Sequence, residues 1–375
     1  MLDKFNKLSE SSGALTPGRG MVSGVIALML AILCFLGVLA FHFPEYLTTP
    51  QLRKSYDVDV MRRLLYWSLV LSGGLALFNI VFSRQRWLAL GTFALLGLAL
   101  ALGGHKVEVN PDFPDHTPYI GLDWFILDLL GSTLIFVFIE KLFKLRRDQP
   151  VFRPEWQTDF QHFIVNHLAV GFVLLATNLL VHRFFGWAAK DGIQGWVQGL
   201  PFPVALFLII LVADLVQYWT HRAYHEVPML WRLHAVHHSV KSMDWLAGSR
   251  QHILELIITR TLVLAPIFVL GFSKEVIDAY IVVVGFQAVF NHANVSVRLG
   301  PLRYLIVTPN FHHWHHSQDK EALDKNYAAH FAFLDHMFGT AVQSERKWPE
   351  HYGVLGDYVP DGFFKQLHFP FTWKG

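Results

Sequence analysis

The feature that most constrains this chain is a succession of long, predominantly apolar runs. Val22 to Phe41 is twenty uncharged residues, enough for one helix to cross a bilayer. Leu64 to Phe82 and Trp87 to Gly103 repeat the pattern, joined by the basic link Arg84-Gln85-Arg86. Leu122 to Phe143, Phe163 to Phe185 and Pro201 to Tyr218 are a fourth, fifth and sixth run. In hydrocarbon every backbone polar group needs a partner inside the protein, so runs of this length predict helices. The expected class is therefore all-α: a polytopic helical membrane protein. Composition agrees, since 53% of the 375 residues are hydrophobic and only 16% charged. A net charge of +2 gives no basis for a nucleic-acid partner.

The fourth run carries carboxylates at Asp123 and Asp128. Either they face a polar cavity or the interface, or the span simply starts later. Two shorter apolar pieces, Thr261 to Phe272 and Val276 to Val289, fall below spanning length and suggest a re-entrant hairpin. Residues 1–20 are polar and turn-rich and are expected to be disordered. The expected organisation is a disordered start at 1–20 and a three-span module at 21–120. A membrane core with its cap follows at 121–342, then an aromatic, interfacial tail at 343–375.

Charge in the loops predicts sidedness. Lys4, Lys7 and Arg19 place the N-terminus in the cytoplasm, and Arg84 and Arg86 then fall on the same side. The loop 104–121, with Glu108, Asp112 and Asp115, falls outside; Lys141, Lys144, Arg146, Arg147 and Arg153 fall inside. The loop 42–63, with Arg53, Lys54, Arg62 and Arg63, argues the other way. On this count the residues after the sixth run face the cytoplasm, in a bacterial inner membrane or an endoplasmic reticulum.

Those residues are rich in histidine. Eleven of the 21 histidines lie between His221 and His316. His221 and His225 are four apart and share a helical face. Pro228 then breaks or kinks the helix. His234, His237 and His238 are spaced to share one face of a following helix, and His312, His315 and His316 repeat that spacing, with His313 turned away. Eight imidazoles exceed what one first-row metal takes, so two ions are implied. His292, in Asn291-His292-Ala293-Asn294, is a ninth candidate. The single cysteine, Cys34, excludes a disulfide framework and a thiolate site. Iron, zinc and copper all suit imidazole, and a redox pair of irons fits the donor number best. Asp214, two turns before His221, is placed to accept a ligand's free ring N–H. Asp324, Asn326 and Tyr327 follow the third cluster closely enough to brace it. His252 reads equally well as a support of the site or as an interfacial surface residue. Because all three clusters would share one centre, the apolar pieces between His238 and His312 must return the chain to the side it left.

The pattern His-x3-His, His-x2-His-His, His-x2-His-His resembles the fatty acid hydroxylase / sterol desaturase superfamily of membrane di-iron oxygenases. Asp214…Tyr218-Trp219…His221-Arg222, Leu230-Trp231-Arg232, Thr308-Pro309…His312 and Asp324-Lys-Asn-Tyr327…Leu334-Asp335…Phe338-Gly339-Thr340 resemble it too. The resemblance covers about 205–342. It implies a cytosol-facing histidine-rich helical cap holding two iron ions, with zinc a possible occupant of purified protein. It also implies O2 as co-substrate, a membrane lipid as substrate (fatty-acyl lipid, sterol or ether lipid), and hydroxylation or desaturation of a C–H bond. Electrons would come from a separate cytochrome b-type or ferredoxin-type donor with its reductase. The alternative is a histidine-rich membrane protein that binds or transports metal.

Overall fold

The structure is a computed structural model that describes residues 21–53, 55–82, 86–109, 119–344 and 347–373. The expected disorder of 1–20 lies outside these residues. So do Lys4, Lys7, Arg19, Lys54, Arg84, Asp112 and Asp115, which carried part of the sidedness reading. Among the described residues there are helices and two isolated β-bridges but no strand. The chain divides into two units, residues 1–127 and 128–375.

In the first unit, α1 (Met21–His42), α2 (Val58–Phe82) and α3 (Arg86–Ala101) pack together. Their shared core holds Ala31, Cys34, Val38, Leu65, Leu69, Leu96 and Ala99. The few polar side chains inside these apolar helices are paired. Ser72 donates to the Ala27 carbonyl at 2.8 Å, Thr92 to Leu88 at 2.8 Å, and Ser23 to Asn79 at 2.9 Å. Helix α4 (Leu122–Leu142) begins as this unit ends. Asp123 sits in its first turn and accepts from the Thr49 hydroxyl (2.8 Å) and the Tyr56 hydroxyl (3.0 Å). It is thus a bonded residue at the helix start rather than a bare charge in a span.

In the second unit the fifth apolar run is not one helix. It is divided between α5 (Trp156–Leu168) and α6 (Val170–Phe185), bent by 56°. Asp128, on α4, pairs with His167 of α5 at 2.6 Å. A short α7 (Asp191–Gln198) leads to α8 (Phe202–Glu226), which extends eight residues past the apolar run that predicted it. Val227 follows, and Pro228 opens α9 (Pro228–His238), as proline suits a first helical turn.

The hairpin is longer than expected. Its legs are α10 (Ile253–Leu270) and α11 (Lys274–His292), of 18 and 19 residues. Glu255 and Arg260 break the apolar pattern and hide the first two turns of α10 from a hydropathy reading. Both legs pack on α8 around Ile209, Ala213, Val263, Ile267, Val276 and Tyr280. Three short helices complete the unit: α12 (Pro309–His315), α13 (Ala332–Phe338) and α14 (Phe363–Thr372).

Among the described residues six helices, α1 to α4, α8 and α10, are long and apolar enough to cross a membrane, and α5 with α6 is a seventh if the bent pair counts as one span. The chain is a multi-pass membrane protein.

Candidate metal centre

Local sequence sets the frame of the site. The end of α8 carries His221 and His225. The turn at Val227-Pro228 folds α9 back so that its last turn brings His234, His237 and His238 alongside. Thr308 caps α12, its hydroxyl accepting the Phe311 N–H at 3.2 Å, and the helix presents His312, His315 and His316. Asp324 and Asn326 adopt left-handed φ values of 55° and 60°. The Asn326 side chain fastens that turn to the Phe311 and Val342 carbonyls at 2.8 and 2.7 Å.

Nine imidazoles converge in two groups. His221, His225, His234, His238 and His315 form one; His237, His292, His312 and His316 form the other. Within each group one ring nitrogen per residue lies within 4.8 Å of all the others. The histidine repeats are thus shared between groups. In α9, His234 and His238 turn to the first and His237 to the second; around α12, His315 turns to the first and His312 and His316 to the second. His313 stands apart and bonds the Tyr352 hydroxyl at 2.9 Å.

The chemistry of the donor set fits metal ions. His221 Nδ1 donates to the Tyr327 carbonyl (2.7 Å), His237 Nδ1 to Arg250 (3.0 Å), His315 Nδ1 to Lys325 (2.7 Å) and His292 Nδ1 to Ala288 (2.8 Å). His234 Nδ1 donates to the Glu255 carboxylate (2.8 Å) and His225 Nδ1 to Asp324 (3.1 Å). A neutral imidazole that donates from Nδ1 carries a lone pair on Nε2. Yet His221 Nε2 faces His234 Nε2 at 2.9 Å, and His237 Nε2 faces His292 Nε2 at 3.3 Å. Neither pair has a proton to share, so these are converging lone pairs. Two neighbouring ligands on one ion, each about 2.1 Å from it, lie about 3 Å apart, which matches. Nε2 of His225 and of His315 are buried with no hydrogen-bond partner.

Electrostatics point the same way. Burial and the crowding of like rings hold His234, His238, His312, His315 and His316 well below the usual imidazole value of 6.5, so each is neutral at pH 7 and keeps a lone pair that a metal ion could take. The same burial holds for His237, together with the neighbouring His292.

Asp214 does not do what its spacing suggested. The ring N–H of His221 goes to the Tyr327 carbonyl instead. Asp214 is fully buried and accepts the backbone N–H groups of Ala329 (2.8 Å), His330 (3.1 Å) and Phe331 (2.6 Å). It pins the segment that carries that carbonyl. His252 is also outside both groups. Its Nδ1 caps α10 by accepting the Leu254 N–H at 3.2 Å. Asp324 and Tyr327 touch ligand rings directly, and Asn326 fastens their turn.

Three supports are not legible in the sequence. Glu255 lies twenty-one residues from the ring it orients and looks like a stray charge in an apolar helix. Arg250 sits in a buried ion network with Asp159 and Glu155, and Arg153 joins Asp159 to Asp244. That network holds the Arg250 carbonyl for His237. Gly248 lies so close to His292 that a Cβ would come within 2.9 Å of its Nδ1.

Comparison with known proteins agrees with this geometry. Residues 206–340 match the fatty acid hydroxylase family model. That segment holds all nine imidazoles. An ornithine lipid hydroxylase of Rhizobium tropici is 32% identical over 180 residues, 48% of this chain and 54% of the relative. The alkylglycerol monooxygenase of Homo sapiens is 33% identical over 148 residues, 39% of this chain and 32% of the relative. Methylsterol monooxygenase 1 of Rattus norvegicus is 24% identical over 227 residues, 59% of this chain and 74% of the relative. The match spans about half of the first relative and a third of the second. No solved structure matches the chain.

Proposed function

We propose that this protein is a membrane di-iron oxygenase that uses O2 to hydroxylate a C–H bond of a lipid. The observation that carries the reading is the pairing of imidazole lone pairs in two adjacent groups, each completed by residues far apart in sequence. His221, His225, His234, His238 and His315 would hold one iron, and His237, His292, His312 and His316 the other. When bound, the two irons supply the redox chemistry that activates O2 against an unactivated C–H bond. The chain's own part is to fix six of the nine rings by their second nitrogen, those of His221, His225, His234, His237, His292 and His315, and to keep the rings neutral. It also surrounds the centre with buried residues that exclude water.

The loop charges support a cytoplasmic position for the centre, within reach of a soluble cytochrome b-type or ferredoxin-type donor. The three relatives are named for hydroxylation or monooxygenation of lipid-class substrates, which supports a lipid here. A transport protein would need ligands spaced along a path through the spans. Here all nine gather at the ends of α8, α9, α11 and α12.

The test is a comparison of lipid extracts from cells expressing the wild type or His238→Ala, grown under heavy-isotope dioxygen. A lipid carrying one labelled oxygen, present with the wild type and absent with the variant, is expected. A lipid lacking two hydrogens and carrying no label would mean desaturation. Identical extracts would overturn the oxygenase reading.

A further inference from the structure

Helix α10 carries two ionisable side chains, Glu255 and Arg260. Glu255 is accounted for by His234. Arg260 has no hydrogen bond or ion pair among the described residues. A cation inside a membrane-spanning helix is expensive and ordinarily has a partner. Arg260 sits three residues before Val263 and seven before Ile267, and so shares their face. That face packs on Ile209 and Ala213 of α8 and on Tyr280 of α11. Tyr280 is the titratable group within electrostatic range of the guanidinium. Arg260 is exposed although Val263, Ile267 and Tyr280 around it are buried. An exposed cation beside buried neighbours on packed helices calls for an opening between those helices.

Such an opening would run between the legs of the hairpin. Both α10 and α11 lie along α8, but the two legs make little contact with each other. The open end of the hairpin straddles the metal centre, with Glu255 on one leg against His234 and His292 on the other against His237. Five residues of helix, about 7.5 Å of rise, separate Glu255 from Arg260.

We infer that Arg260 binds the anionic group, carboxylate or phosphate, of the lipid substrate, whose chain lies in the cleft between α10 and α11. The inference rests on the lipid-oxygenase reading and narrows its substrate class. A guanidinium pairs with either anion through two parallel hydrogen bonds. In apolar surroundings that pairing is stronger than in water. A neutral lipid in the same cleft leaves the cation unpaired and is selected against. The short rise to Glu255 puts the reacting carbon near the head of the lipid rather than at the end of a long chain.

The test is a binding measurement that needs no turnover, so its failure is separable from failure of the oxygenase reading. Full-length protein in dodecyl maltoside is titrated with palmitate, hexadecyl phosphate and hexadecanol, three probes with one chain length. The wild type is expected to bind at least one of the two anions about tenfold or more tightly than the alcohol. Arg260→Gln is expected to lose that preference while its affinity for hexadecanol is unchanged, and Arg260→Lys to keep part of it. Wild-type protein that binds all three probes alike would overturn the inference, as would Arg260→Gln retaining the preference. Inorganic phosphate that displaces the anionic probes at equal concentration would mean a free-anion site and would also overturn it. If Arg260→Gln does not fold, the wild-type series and Arg260→Lys decide alone.

Discussion

The His234 ring is held at Nδ1 by Glu255, while its Nε2 faces the converging ring nitrogens. Glu255→Ala removes the acceptor and frees the ring to turn. Loss of such a partner typically weakens a metal about 10–100-fold. Chelator competition is expected to show that drop for one of two ions per chain, with Glu255→Gln milder because its amide oxygen still accepts. Gly248→Ala is expected to strike the other group, because the new methyl meets the His292 ring; one ion lost by metal analysis, with the helical circular dichroism intact, checks it. Neither residue was recoverable from sequence. Glu255 reads as a defect in an apolar run, and Gly248 has no periodic context. Eight of the nine clustered histidines were recoverable because helices that turn one face to a common centre leave i, i+3, i+4 spacings in the sequence. The sharing of each repeat between two groups was not, since it depends on how α9 and α12 face each other.

The same residue scale sets a pH dependence. The buried rings of His234, His237, His238, His312, His315 and His316 protonate well below the value of 6.5 that they have when exposed on unfolding. The unfolded chain therefore binds more protons below that value, so stability falls as pH drops through it and is fully present above it. Melting of the metal-free protein at pH 7.5, 6 and 5 is expected to show a progressive fall; a flat profile would contradict burial of these rings as neutral ligands.

At the scale of elements, the site depends on the 327–331 segment and on the hairpin. Asp214 closes the first by accepting three backbone N–H groups. Asp214→Ala leaves these donors buried and unpaired, at a cost of about 1–3 kcal/mol for such a group. A lowered melting temperature with the metals more easily removed is expected; unchanged melting would show that the segment holds itself. Spacing placed Asp214 on the right face of α8 but could not show that a loop more than a hundred residues later would reach it before any ring did. The hairpin was legible from two short apolar pieces together with a parity requirement. Its length was not, because hydropathy stops at Arg260 while the helix runs on to Ile253. The legs are about 27–28 Å long, close to the thickness of the hydrocarbon core. A cysteine placed at Ser273 should therefore react with an impermeant thiol reagent from the side opposite to one at Asp319. Labelling of both from one side would make the hairpin re-entrant.

At the scale of the whole molecule, apolar runs and histidine spacing between them conveyed the class: spans to hold the chain in a membrane, and a polar cap to hold metal. Tertiary contacts supplied what sequence could not, namely the bend between α5 and α6 and the buried ion network under Arg250. The central claim is that two adjacent groups of imidazoles each hold one iron. It is tested most directly by metal analysis of purified full-length protein alongside His238→Ala and His316→Ala, one variant in each group. Two irons per chain in the wild type, and loss of metal in each variant, are expected. A single tightly bound zinc in the wild type, or variants that retain the full metal content, would contradict it.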